Sequence, residues 1–129
     1  IKNSRIKFIG PIFGQEKEFI LKKSKAFILP SFNEGLPISI LEALSFKNTC
    51  LITKNCNMNL LIEEEISLEI KSTNKMPLIS EALKRLFKLS EEEFQRREKL
   101  GIEYIIKNHN WERIISEEIA FYKQLNNRK

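Results

Sequence analysis

The amino-acid sequence predicts an α/β fold, in which an open parallel sheet carries helices on both faces and is followed by C-terminal helices. Short unbroken apolar runs alternate with segments whose apolar residues recur at helical spacing, the pattern of strands joined by helical crossovers. Beyond residue 75 only the helical spacing continues. With 129 residues, 42% of them hydrophobic and 30% charged, the chain is predicted to form a single domain over residues 1–129.

The first half of the chain is predicted to alternate strands with helices. Its elements are a strand at 6–9, a helix at 15–24, a strand at 26–29, a helix at 37–46 and a strand at 49–53. The run Ala26–Leu29 is apolar throughout, which is typical of a strand buried on both faces. The next helix is expected to begin with Pro37, because proline is tolerated at the first helical position. Asn48 is expected to close this helix in a left-handed conformation.

The second half is predicted to be helical after one more strand. A short helix at 58–65 and a weak strand at 67–70 come first, followed by helices at 78–87, at 90–108 and from 111 onwards. Ser90 and Glu93 have the spacing of a capping box, which predicts the start of the second of these three helices. Trp111 is expected to pack as an anchor for the last helix.

The composition excludes several kinds of site. The chain contains no Asp, which excludes a Ser-His-Asp triad, an EF-hand loop and an Asp-x-Asp metal site. One His and two Cys are too few for a Cys/His zinc site, and Cys50 and Cys56 are expected to stay reduced. No metal and no cofactor are therefore predicted. The net charge of +5 permits a polyanion partner, but the basic residues are spread along the chain, so no nucleic acid is expected.

The hydropathy pattern predicts a cytoplasmic location. No apolar run approaches the roughly 18 residues of a membrane span, and no charged-then-apolar leader opens the sequence. Contact with a membrane surface stays open as an alternative.

A candidate binding loop follows the strand at 26–29. Open parallel sheets bind ligands beyond the carboxyl ends of their strands, and Gly35 in this loop lets a ligand approach the backbone closely. The helix that begins after it offers unpaired N–H groups to phosphate or sugar oxygens. Glu42 is the only charged residue of that helix, and its carboxylate could accept hydrogen bonds from a pair of sugar hydroxyls.

Several stretches of the sequence together resemble one enzyme family. They are Phe8-Ile9-Gly10, Ala26-Phe27-Ile28-Leu29-Pro30-Ser31, Glu34-Gly35-Leu36-Pro37, Leu41-Glu42-Ala43, Thr53 to Asn57 and Trp111-Glu112-Arg113. This set resembles the donor-binding lobe of glycosyltransferase family 4, a group of retaining enzymes of the GT-B fold. The family signature of two glutamates separated by seven residues is matched by Glu34 and Glu42. The resemblance implies a Rossmann-like lobe that binds a nucleoside-diphosphate sugar.

The resemblance also implies roles for individual residues. Glu34 would be the catalytic residue next to the donor sugar, and Glu42 would bind the nucleotide ribose. Gly35, Leu36 and Pro37 would lie against the sugar and its phosphates, and Gly10, Pro11 and Ile12 would lie near the base. The donor would be a UDP- or GDP-linked sugar, used without a metal ion or cofactor.

The family pattern includes parts that these residues do not contain. Relatives have an N-terminal lobe that holds a glycan or lipid acceptor, and an earlier strand and loop that bind the diphosphate. The chain is therefore expected to be a fragment that turns over no substrate alone. Alternatives are a non-catalytic or degenerate sugar-binding lobe, a basic polyanion binder, or another GT-B-like enzyme such as an epimerase or a phosphorylase-like enzyme.

Overall fold

A computed structural model of the chain describes residues 5–71 and 76–126, and its secondary structure is α/β. The elements are α1 (Gly14–Lys23), β1 (Ala26–Leu29), α2 (Ile38–Ser45), β2 (Thr49–Ile52), a 3₁₀ turn (Lys54–Cys56), α3 (Asn59–Glu63), β3 (Leu68–Glu69), α4 (Met76–Phe87), α5 (Glu91–Asn108) and α6 (Trp111–Asn126). Strands and helices alternate up to β3, and only helices follow it, as the sequence predicts.

The three strands form one parallel sheet in the order β1-β2-β3. Ala26 lies opposite Thr49 in the first pair, and Leu51 lies opposite Leu68 in the second. Parallel neighbours need a crossover between them, and α2 and α3 lie in the two connections. The loops that follow β1 and β2 therefore leave the sheet at the same edge.

Strand β2 is the centre of the hydrophobic core, because all four of its residues are buried. Cys50 and Ile52 belong to a cluster with residues of α2 and α3, whereas Leu51 belongs to a second cluster with residues of β3 and α4. Alternate side chains of a strand point to opposite faces, so the two clusters are the two faces of the sheet. The prediction of helices on both faces is confirmed.

Two predictions about the early strands are wrong. The run at 6–9 forms no strand, and Phe8 in it is 86% exposed. Strand β1 is not buried on both faces, since it lies at the edge of the sheet and Ile28 is 39% exposed. The apolar character of a segment favours a strand, but pairing and burial depend on neighbouring elements. No strand of the described residues lies on the outer side of β1.

The ends of α2 differ in detail from the prediction. Pro37 is the extended residue before the helix, and the helix begins at Ile38. At the other end Lys47, not Asn48, has the left-handed conformation, with φ of 65°. Asn48 is buried instead, and its side-chain amide donates to the backbone oxygen of Leu21 over 2.9 Å. A buried amide that ties α1 to the end of α2 has replaced the expected turn residue.

Helix α5 packs closely on the α/β part of the chain. The capping box predicted at Ser90 and Glu93 is present in full. A Cβ atom placed on Gly101 would lie 3.0 Å from Leu44 Cδ2, so α5 lies against α2 at this glycine. Arg97 is buried and donates to the backbone oxygen of Glu65, and burial lowers the pKa of its guanidinium.

Helix α6 contrasts with α5, because none of its described residues is buried. Trp111 is 75% exposed, so the prediction that it packs as an anchor is wrong. The apolar side chains of Ile115, Ile119, Tyr122 and Leu125 in this helix are 43% to 61% exposed, so the described residues leave most of its apolar face uncovered. In residues 5–71 and 76–126 no helix combines the length and apolar character that crossing a membrane requires.

Candidate functional site

The loop between β1 and α2 is held by the residues that follow β2. Thr53 Oγ1 donates to the backbone oxygen of Ser31 over 2.7 Å, and Asn55 Nδ2 donates to that of Phe32 over 2.7 Å. Asn57 Nδ2 donates to the backbone oxygen of Glu34. The backbone N–H of Glu34 in turn donates to the oxygen of Asn55 over 3.0 Å. Both segments lie at the carboxyl ends of neighbouring parallel strands, which places them side by side.

Glu34 and Gly35 stand at the end of this loop. Glu34 is half-buried, whereas Gly35 is exposed. The φ angle of Gly35 is not in the left-handed region, and no atom lies within 4 Å of where a Cβ would be. Neither backbone conformation nor crowding by the described residues therefore requires glycine here.

The start of α2 has no side-chain cap. Pro37 precedes the helix with extended backbone, and within residues 5–71 and 76–126 no side chain accepts a hydrogen bond at this end. The first N–H groups of a helix have no intrahelical acceptors, and the helix dipole makes this end favourable for negative charge. Gly35 and Leu36 lie directly before this uncapped helix start, and both are exposed.

Glu42, one turn further along α2, forms an ion pair with α1. Lys17 Nζ lies 2.5 Å from Glu42 Oε1, and both side chains are about one-third exposed. Sugar hydroxyls were predicted as the partner of this carboxylate, with pairing to a lysine as the alternative, and the structure pairs it with Lys17. Among the described residues Glu42 Oε2 has no hydrogen-bond partner. One oxygen of the carboxylate is thus held while the other is open.

A cavity of about 210 Å³ lies between α1, β1 and α2. Its lining brings together Ile12 and Glu42, two of the residues predicted to bind a nucleotide, and adds Lys17 and Ser39. Gly10 and Pro11, predicted to act with Ile12, are exposed and do not line it. Gly10 has φ of 69°, a conformation for which its turn needs glycine.

A second, larger groove of about 690 Å³ lies on the other side of Glu42. Leu36 and Ile38 at the start of α2 line one wall, and His109 after α5 and Trp111 at the start of α6 line another. Glu34 lines neither this groove nor the 210 Å³ cavity. The two glutamates therefore share one loop and helix, but they do not line a common cavity.

Two thiols lie beneath this region. Cys56 is buried, and its Sγ lies 3.6 Å from the backbone oxygen of Leu29. Cys50 is buried in β2, and burial raises the pKa of its thiol to about 12. Both thiols are free. Within the described ranges no three His, Cys or Glu side chains are grouped so that they could hold a metal ion.

The residues that hold the Glu34 loop and Glu42 in place were not predicted from the sequence. Lys17, Asn55 and Asn57 each contact the Glu34 loop or Glu42 through a side chain. Asn55 and Asn57 belong to a stretch that contributes to the family resemblance, and the parallel arrangement already places that stretch beside the loop. The family resemblance was therefore a reason to expect Asn55 and Asn57 beside the loop, whereas no sequence pattern indicated that Lys17 contacts Glu42.

Comparison with known proteins identifies the family. The model of the family described as glycosyl transferases, group 1, matches residues 2–107. A curated relative, the UDP-Gal:alpha-D-GlcNAc-diphosphoundecaprenol alpha-1,3-galactosyltransferase of Escherichia coli, is 36% identical over 67 residues. This match covers 52% of the chain and 17% of that relative's length. No solved structure matches the chain. Because the family model covers most of the sequence, the chain belongs to the group 1 glycosyl transferases.

Proposed function

We propose that this chain is the donor-binding, C-terminal lobe of a family 4 glycosyltransferase of the GT-B fold. The complete enzyme would transfer a sugar from a nucleoside-diphosphate donor to a glycan or lipid acceptor held by an N-terminal lobe. Transfer would retain the anomeric configuration and need no metal ion or cofactor. The group 1 family match and the galactosyltransferase relative support sugar transfer in general. The donor-binding role is argued from the site.

Glu42 carries the proposal. Its carboxylate is the only charge on α2, and it lines a cavity whose other walls are mostly apolar. Lys17 holds one oxygen, which leaves Oε2 to accept a hydrogen bond from a ribose hydroxyl. Ile12 in the same cavity supplies an apolar surface suited to a nucleoside. The cavity thus offers a carboxylate for the ribose hydroxyls and an apolar surface for the rest of a nucleoside.

The loop and the helix start would hold the rest of the donor. The uncapped N-terminus of α2 favours the negative charge of a diphosphate. The fold does not require glycine at position 35, so close approach of a ligand to the backbone is a physical reason for it. Leu36, which is exposed, would continue this surface, whereas Pro37 is buried and would only shape the turn into α2. Glu34 would act next to the transferred sugar.

The relative suggests which donor to test first. Its name specifies UDP-galactose as donor and a lipid-linked diphosphate as acceptor. The chain spans 17% of that protein, so we extend only the donor class, a UDP-sugar, to this site. The acceptor and any membrane contact of the parent belong to the remainder of the enzyme.

Ligand-observed NMR of the chain with UDP, GDP, ADP and their sugar conjugates tests the proposal. We expect UDP and UDP-galactose to bind, and Glu42→Gln to weaken binding about tenfold or more, since a hydrogen bond to a charged group contributes about 1.5–3 kcal/mol. Glu118→Gln is the matched control, because it makes the same change on exposed α6. We expect it to leave binding unchanged.

Four outcomes would contradict the proposal or change it. Failure of every nucleotide to bind at millimolar concentration would favour a degenerate lobe. Equal binding by Glu42→Gln and the unchanged chain would remove the ribose-binding role. Preferred binding of GDP-linked sugars would change the base but keep the site. Isomerisation of the free donor by the complete protein would instead indicate an epimerase, and we expect no turnover by the isolated chain.

A further inference from the structure

Residues 53–57 do more than lie beside the Glu34 loop, because they fix the direction of its peptide groups. Three backbone oxygens of the loop, those of Ser31, Phe32 and Glu34, accept hydrogen bonds from side chains of this one segment. All three carbonyl groups therefore point towards the segment. A loop without regular structure has its backbone acceptors satisfied in this way.

Peptide geometry carries the consequence to the next residue. In a planar trans peptide the C=O of one residue and the N–H of the following residue point in opposite directions. Because the Glu34 oxygen points to Asn57, the Gly35 N–H points away from residues 53–57. The Gly35 N–H has no backbone acceptor within the described residues. It is a donor with a defined direction and an open acceptor position.

The Glu34–Gly35 peptide is also the one in the loop that most needs to be held. Glycine adopts either sign of φ with little cost, so a peptide that precedes glycine can reverse easily. The Asn57 amide is the contact, among the described residues, that fixes this carbonyl. Asn57 has φ of 55°, a conformation that asparagine tolerates better than most residues.

We propose that Asn57 is a positioning residue, which holds the Glu34–Gly35 peptide so that the Gly35 N–H faces an anionic oxygen of the bound donor. This inference rests on the proposed function, since the diphosphate or sugar oxygen is the acceptor. Asn57 itself does not touch the ligand. Its loss would remove one preorganised hydrogen bond to a charged group, and the hydrogen bond to the ribose at Glu42 would remain.

Asn57→Gly is the first variant, because it removes the side-chain amide and glycine keeps the left-handed backbone without strain. NMR titrations of the chain with UDP and with uridine give two dissociation constants. We expect UDP to bind about five- to tenfold more weakly, and uridine, which lacks phosphates, to change less than twofold. A merely structural role would weaken both ligands together and lower the melting temperature.

Asn57→Asp provides a second test with a matched control. Aspartate has nearly the same shape, but its carboxylate cannot donate to the Glu34 oxygen. Asn59→Asp adds the same charge two residues further on, at an exposed position. We expect Asn57→Asp to weaken UDP binding at least fivefold more than Asn59→Asp does. Equal effects of the two variants would attribute the change to charge alone and overturn the inference.

A measurement without ligand separates this inference from the proposed function. The nuclear Overhauser effect between the Glu34 α proton and the Gly35 amide proton reports the direction of the Gly35 N–H in the unchanged chain and in Asn57→Gly, because the distance between these two protons changes when the peptide reverses. We expect one direction in the former and a reversed or averaged direction in the latter. The same direction in both would overturn the role of Asn57 even if UDP binds. Failure of UDP and uridine to bind the unchanged chain would contradict the proposed function, and with it Asn57's role towards a donor.

Discussion

Helices α2 and α6 are both rich in apolar residues, yet the chain buries only one of them. Ile40, Ala43 and Leu44 of α2 are completely or almost completely buried, whereas Ile115 and Ile119 of α6 are about half exposed. Helix α2 connects two paired strands and is covered by α5 at Gly101. Helix α6 follows α5 and joins no strand of the described sheet. Apolar spacing thus predicts that a helix has a face to bury, and the connections decide whether anything covers it.

The largest effect is expected in β2, on the face of the sheet opposite α2. Leu51→Ala should lower the free energy of unfolding by about 3–4 kcal/mol, because Leu51 is fully buried against β3 and α4 and its loss leaves a cavity. Urea denaturation followed by circular dichroism measures the change. A loss below about 1 kcal/mol would mean that the face of β2 towards β3 and α4 is not a packed core, and the contrast between a buried sheet and an uncovered α6 would be lost.

The pH dependence of stability tests the burial of β2 through the Cys50 thiol, without any change in α6. The pKa of Cys50 is about 12 in the fold against 9.0 for a free thiol, so the folded state keeps a proton that the unfolded chain loses first. The contribution to stability is complete below pH 9 and is lost as the pH rises towards 12, by about 1.4 kcal/mol per pH unit.

Unfolding free energies of the chain and of Cys50→Ala at pH 8, 9, 10 and 11 isolate this contribution, since other titrating groups are common to both. We expect the stability of the unchanged chain to fall more steeply above pH 9. Parallel pH profiles would show that water reaches the β2 thiol.

The smallest effect is expected in α6. Ile119→Ser should change the free energy of unfolding of this chain by less than about 0.5 kcal/mol, because the side chain is already 49% exposed and packs in neither core cluster. The same urea experiment measures it. A loss above about 1.5 kcal/mol would show that α6 is covered in solution and would remove the difference between the two helices.

Features encoded within a few residues were predictable from the sequence. The capping box needs only Ser90 and Glu93, and it forms as predicted. The alternation of strands and helices from residue 15 onwards was also correct, because each element has its own local pattern, whereas the strand predicted at 6–9 does not form. The exposure of β1 was not predictable, since an edge strand and a central strand can share the same apolar sequence.

The candidate site also has features that the sequence predicted and features that depend on tertiary packing. Ile12 and Glu42 were predicted to act together, and they line one cavity. The Lys17–Glu42 pair joins residues 25 positions apart and depends on how α1 packs beside α2, which no local pattern specifies. The Asn57 contact likewise depends on the register that places β2 beside β1.

The parallel pairing of β1 with β2 has a consequence for how the chain folds. Leu29 lies opposite Ile52, so this pair cannot form until the intervening chain, with α2 inside it, has closed into a loop. Closing such a loop costs conformational entropy before any pairing returns free energy. The same closure brings residues 53–57 to the Glu34 loop. The chain must therefore cross the same kinetic barrier before either the sheet or the site can form. The ordered loop arises as part of sheet formation and not as a later, separate step.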